Sequence, residues 1–193
     1  MSNFINNHLL LAITVIGSFL GTVLSYIFPN FTNCQLCAGK GFRIGNTGLY
    51  VFIHDGWEHL IGNYMYVIPG VLLVEHCCNK TGVSMTWVFA LMIINAFIGC
   101  MPVWFSNFTT VCGLSSNAIM LLEMGLVWNG MISRGFPRKL CLAIAIIEAI
   151  IIIYSDSKSS RNYKFGHNIG LILGVLSGLG FYFYVSVMNH TYG

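Results

Sequence analysis

Apolar residues run along this chain in long stretches separated by short polar breaks, with neither the period of two of a half-buried strand nor the charged face of a soluble helix. The breaks fall at Pro29-Asn30, Asn79-Lys80-Thr81-Gly82, Ser106-Asn107, Gly135-Phe136-Pro137 and the run SDSKSSRN from Ser155 to Asn162. Each is rich in the residues that turn a chain. Between them lie six stretches, at about 8–28, 57–76, 84–104, 111–133, 137–154 and 165–188, each close to the ~20 residues that cross a hydrocarbon core of ~30 Å. The pattern predicts an all-α membrane protein, with residues 1–193 forming one six-span domain. Only the first connection, about 29–56, is long, and loops of that length tend to be functional or to lie along a membrane surface.

Composition agrees with this picture. Of 193 residues 56% are hydrophobic and 8% charged, and the mean hydropathy is +0.75. These values lie outside the soluble globular range. The expected location is therefore integral to a membrane, multi-pass, with the lipid bilayer as a partner. The first apolar run begins near His8 and is long enough to span, so no cleavable leader is expected. The nine Lys and Arg residues sit in the connections without a basic, aromatic-interleaved stripe, which argues against nucleic acid. They divide between the two sides, so charge does not set the orientation.

With six spans, the second, fourth and sixth all begin at the face opposite the N-terminus. The second opens with FIHDGWEHLIGN, carrying His59 and Asn63; the fourth with Gly113-Leu114-Ser115-Ser116; the sixth with Gly166-His167. Counted from 111, Ser115 is expected about 6 Å below that face, with His167 slightly shallower. A serine hydroxyl becomes a useful nucleophile when a base takes its proton, and histidine suits that task near neutral pH. His59 and Asn63, four apart, project from one helical face as two possible donors to an oxyanion. Gly170, Gly174 and Gly178 recur every four residues, a small-residue face that lets a neighbouring helix approach closely. Each element alone also has a plain reading, as a back-bonded serine, an interfacial histidine or an ordinary helix contact. Their coincidence in depth and side is the signal.

These residues resemble the rhomboid intramembrane serine proteases. FIHDGWEHLIGN is similar to the family's H-x-G-W-x-H-x-x-x-N, CGLSS to its G-x-S-G, and GHNIGLILG to its A-H-x-x-G-x-x-x-G, in the same order and on the same spans. The resemblance implies a six-helix bundle that cleaves single-span transmembrane substrates, with Ser115 as nucleophile and His167 as base. It also implies an oxyanion hole of His59, Asn63 and the Ser115 N–H. His54 and Trp57 would shape the entrance, with Gly113, Gly170 and Gly174 in support. Ser116 departs from the family's second glycine and Ile119 from a common aromatic, and the first connection shows no Trp-Arg pair, although Arg43 is near. No cofactor or metal is implied.

Two rival readings use the same residues. One is a rhomboid-like pseudoprotease that binds membrane clients without cutting them; the other is a transporter or haem-binding membrane protein using intramembrane His, Asn and Glu. Among the seven cysteines, Cys34-Gln-Leu-Cys37 is a lone C-x-x-C and a weak zinc signal, while Cys34, Cys37, Cys100 and Cys112 share a side. Finally, Asn95, Glu123 and Glu148 are expected near mid-membrane, where they either meet in one hydrogen-bonded network or leave each Glu facing a water-filled cavity on its own.

Overall fold

The computed structural model describes residues 8–41, 43–105, 112–158 and 161–192. Its long elements are the helices α1 (Leu9–Ile27), α2 (Trp57–Thr81), α3 (Met85–Phe105), α4 (Ser115–Ile132), α5 (Phe136–Ser157) and α6 (Arg161–Tyr192). The all-helical prediction holds, with boundaries that move by several residues. The break at Ser106-Asn107 and the expected start at 111 lie outside the described residues, but 112–114 are not helical. Ser115 therefore opens α4 instead of sitting a turn inside it. The break at Asn79-Lys80-Thr81 is absorbed into α2, which stops where Gly82 turns left-handed (φ 75°) and returns its N–H to the Cys78 carbonyl at 2.8 Å.

Polarity is inverted relative to a soluble protein. α5 turns Ile144, Ile146, Ile147, Ile150 and Ile153 outward, and α1 exposes Ile13, Ile16, Phe19 and Leu20. The buried stripe of α1 is, after Leu10, Thr14, Ser18, Gly21 and Thr22. Thr14 and Thr22 donate to the carbonyls of Leu10 and Ser18, each at 2.8 Å, so these hydroxyls are satisfied within their own helix. An apolar exterior of this extent fits hydrocarbon as its solvent. Five helices, α1, α2, α3, α5 and Lys164–Met188 of α6, are long and apolar enough to cross a membrane.

α4 is the exception, and packing explains why. It lies at the centre, most extensively against α6 and α2, with α5 and α3 completing the surround. Ser116 through Met120 are all buried, as are Glu123 through Trp128. A helix shielded in this way need not be apolar, so it can carry Asn117 and Glu123.

Glycine faces bring the three central helices together. A Cβ on Gly170 would collide with the Ser116 carbonyl oxygen; one on Gly174 or Gly178 would lie 2.7 or 2.9 Å from those of Met120 or Met124. On the other flank of α4, a Cβ on Gly70 of α2 would lie 2.6 Å from the Leu122 nitrogen. The first connection is not slack. It folds into short helical turns, including Ile44–Thr47 and Leu49–Phe52, and Asn46 knits it by accepting from the Gly39 N–H (2.9 Å) and donating to the Gly39 and Gly41 carbonyls (3.0 and 2.8 Å).

Gly170→Ala should therefore destabilise the bundle by roughly 1–3 kcal/mol through overpacking. Gly180→Ala, on the same helix with open space at its Cβ position, should be neutral or stabilising by up to about 1 kcal/mol. Thermal unfolding of the two detergent-solubilised variants beside the parent protein checks the contrast.

Candidate active site

Where α2, α4 and α6 begin and α5 ends, the helices enclose a cavity of about 300 Å³. Its polar lining includes His59, Asn63, Ser115, Asp156 and His167; Ile119, Ile151, Ile152 and Tyr66 give it apolar walls. The four principal residues expected from the sequence are thus brought to one place.

Ser115 is held by the backbone before it. The Gly113 N–H donates to the Tyr50 carbonyl at 3.1 Å, and the Tyr50 hydroxyl donates to the Ala96 carbonyl of α3 at 3.0 Å. The first connection therefore fixes where α4 starts. Gly113 has φ 106°, and a Cβ there would lie 2.7 Å from His59 Nε2. Both conformation and space demand glycine. As the first residue of α4, Ser115 has a backbone N–H with no carbonyl of its own helix to meet, and it lies at the positive end of the helix dipole.

His59 and Asn63 stand over this turn, the Asn63 Nδ2 being 3.6 Å from the Gly113 Cβ position. His59 Nδ1 lies 2.7 Å from Asp55 Oδ1; the carboxylate can only accept, so Nδ1 donates. Asn63 donates to His54 Nε2 at 2.9 Å. His54 is fully buried. Burial, with His59 alongside, pushes its pKa down to about 4, so its ring is neutral and Nε2 is free to accept. His54 thus stands behind Asn63 and orients its amide, away from the entrance where it was expected. Trp57 does not line the cavity: its ring meets Phe19 (5.6 Å) and stacks on Tyr26 (5.8 Å), tying the head of α2 to α1.

His167 has a partner that the sequence reading missed. Its Nδ1 lies 2.7 Å from Asp156 Oδ1, and the carboxylate side chain is only 4% exposed. Asp156 belongs to a run that reads as a solvated break, yet α5 continues through it to Ser157. A signal was present: Ala145, Ala149, Ile152 and Asp156 follow the 4-3-4 spacing of one inward helical stripe, of which Ala145, Ile152 and Asp156 are buried.

Ser116 does not crowd α6. Its hydroxyl donates to the Gly166 carbonyl at 2.8 Å and accepts from Asn95 Nδ2 at 3.0 Å. Ile119 packs with Ile152 and Leu171 below the cavity. The expected mid-membrane network does not form as drawn: Asn95 turns to Ser116 and to Asn117 Oδ1 (2.6 Å). Glu148 lies beside Tyr66, and Glu148 Oε1 and both Glu123 oxygens lack partners among the described residues. Asn95 is claimed by α4 because two polar groups on that helix's first turn lie nearer than either carboxyl.

No family model, curated protein or solved structure matches the chain.

The adjacent serines have separable roles. Ser116→Ala should cost about 1–3 kcal/mol of stability, since it strands a buried Asn95 donor and loses the tie to α6. Ser115→Ala should leave thermal stability within about 0.5 kcal/mol. Unfolding midpoints of the two variants measure the difference.

Proposed function

We propose that the chain is a multi-pass intramembrane serine endopeptidase of the rhomboid type, all six helices crossing the bilayer, that cleaves single-span transmembrane segments. The observation that carries this reading is the convergence of Ser115, His167 with its buried Asp156, and the His59–Asn63 pair in one cavity with apolar walls.

The geometry suits acyl transfer. Asp156 accepts from His167 Nδ1, which leaves the lone pair on Nε2, the tautomer a general base needs. In the first step the Ser115 oxygen attacks the scissile carbonyl carbon and His167 takes the hydroxyl proton. The oxyanion is held by the Ser115 N–H and the Asn63 amide, with His59 beside them. His167 then returns the proton to the leaving amine, and water repeats the sequence on the acyl-enzyme to release the new carboxyl terminus. Asp156 stabilises the imidazolium while it lasts. It touches no reacting atom and is a positioning residue. The substrate segment must unwind at the cut, because an intact helix keeps its peptide groups hydrogen-bonded and shielded. Access fits the space between α2 and α5, whose residues Tyr66 and Ile151 border the cavity; these two helices share little direct packing.

Incubating the purified protein with a single-span model substrate tests the proposal. Cleavage, and labelling by a serine-directed fluorophosphonate, should both vanish in Ser115→Ala; full proteolysis by that variant would sink the assignment. Asn63→Ala should lower kcat about 10²–10³-fold.

Asp156→Asn separates positioning from structure. The amide favours the wrong His167 tautomer, so kcat should fall roughly 10²–10⁴-fold with KM little changed and the unfolding midpoint preserved. An unchanged kcat would remove Asp156 from the mechanism.

A further inference from the structure

Behind Asn63 lies a second cavity of about 320 Å³, bordered by Cys37, His54, Asp55 and Cys112 among others. One donor atom from each of Asp55, His59 and Cys112 lies within 4.8 Å of the other two. The three come from separate places: the loop before α2, the first turn of α2, and the loop that leads into α4. Asp55 and His59 are four residues apart and already paired; the fold brings Cys112 to them from more than fifty residues further along the chain. Cys37 of the first connection borders the same space as Cys112, and the two thiols are close enough to influence each other's ionisation. Cys34, the other half of the C-x-x-C, is exposed and does not border it.

This donor set has a definite chemical preference. Thiol sulfur and imidazole nitrogen with a single carboxylate oxygen suit zinc, or cobalt in its place, and are a poor match for magnesium or calcium, which want oxygens. Around a tetrahedral zinc with bonds of ~2.0–2.3 Å, neighbouring donors stand roughly 3.3–3.8 Å apart. The three atoms need to draw in by about 1.5 Å at most. Asp55 is exposed and Cys112 lies in a non-helical stretch, so both have room to do so.

We propose that Asp55, His59 and Cys112, with Cys37 as fourth ligand, bind one zinc-like divalent ion beside the candidate active site. On binding, each ligating thiol gives its proton to solvent and coordinates as thiolate. Asp55 moves from His59 Nδ1 to the metal, and Nδ1 coordinates in its place. The ring nitrogens then exchange roles. In the metal-free arrangement Nδ1 carries the proton donated to Asp55, so a neutral His59 turns a lone pair toward Gly113. With the metal on Nδ1 the proton resides on Nε2. His59 becomes a donor aimed at the turn that precedes Ser115. This second consequence rests on the hydrolase reading; the binding of the ion does not.

The experiment is a cobalt titration of the full chain in detergent, chelator-stripped and reduced, followed by zinc competition and elemental analysis. One ion per chain is expected, with a thiolate-to-cobalt charge-transfer band and the intense visible bands of tetrahedral cobalt. Cys112→Ser should abolish the band, and Asp55→Asn and Cys37→Ser should each weaken binding about tenfold or more. Cys141→Ser, at a distant cysteine, and Ser115→Ala should bind as the parent does, so that a failed hydrolase assignment and a failed metal site give different results. Absence of the band in the reduced parent protein, or its persistence in a folded Cys112→Ser, overturns the site. A Cys37–Cys112 disulfide that resists reductant and excludes cobalt also overturns it. For the hydrolase, zinc-loaded protein should cleave about 10²-fold faster than stripped protein; equal rates would overturn the His59 consequence while leaving the binding result intact.

Discussion

The close approach of α4 and α6 sets the geometry of everything around it. Three glycines of α6 lie on successive carbonyls of α4, one turn apart on each helix, so the two backbones are in register and cannot slide without collision. Ser116 adds a directional lock by donating to the carbonyl beside His167. Together these contacts fix the height of His167 against Ser115. A helix contact made of flexible side chains would hold these two side chains at a less definite height. The same reasoning extends to α2, whose Gly70 approaches the other flank of α4 and sets the height of His59 and Asn63.

Polar groups inside this bundle serve two different ends. Asn95, Ser116 and Asn117 satisfy one another and hold helices together. His54, Asn63, Asp156 and His167 are instead arranged in donor–acceptor pairs that leave one end of each pair turned toward a cavity. The first connection belongs to the second group by its effect. Through Tyr50 it links α3 to the turn before Ser115, so a loop that reads as a linker acts as a brace.

Much of this was legible in the residues themselves. Uninterrupted apolar runs announced the helices, because length and composition are properties of each segment alone. The positions of His59, Asn63, Ser115 and His167 at the heads of alternate segments announced their meeting, because antiparallel packing of adjacent spans is nearly obligatory. What the sequence hid depends on where a helix stops. Asp156 looked like part of a hydrophilic link until α5 proved long enough to bury it. Ser115 looked a turn deep until α4 proved to begin with it. His54 and Trp57 were assigned to an entrance, whereas burial and ring stacking draw them to Asn63 and to α1. Side-chain partnering of this kind is settled by tertiary proximity, which no local pattern encodes.

The modest hydropathy of α4 bears on how such a chain is made. A segment with serines, two asparagines and a glutamate among its residues has little tendency to enter lipid on its own, and its stability there depends on walls supplied by α2 before it and α6 after it. During synthesis α4 would emerge while its principal neighbour is still inside the ribosome. Its buried polar side chains gain their full surround only when the glycine face of α6 arrives. Completion of the candidate site and burial of α4 are then a single late event, and a chain released before α6 would have neither.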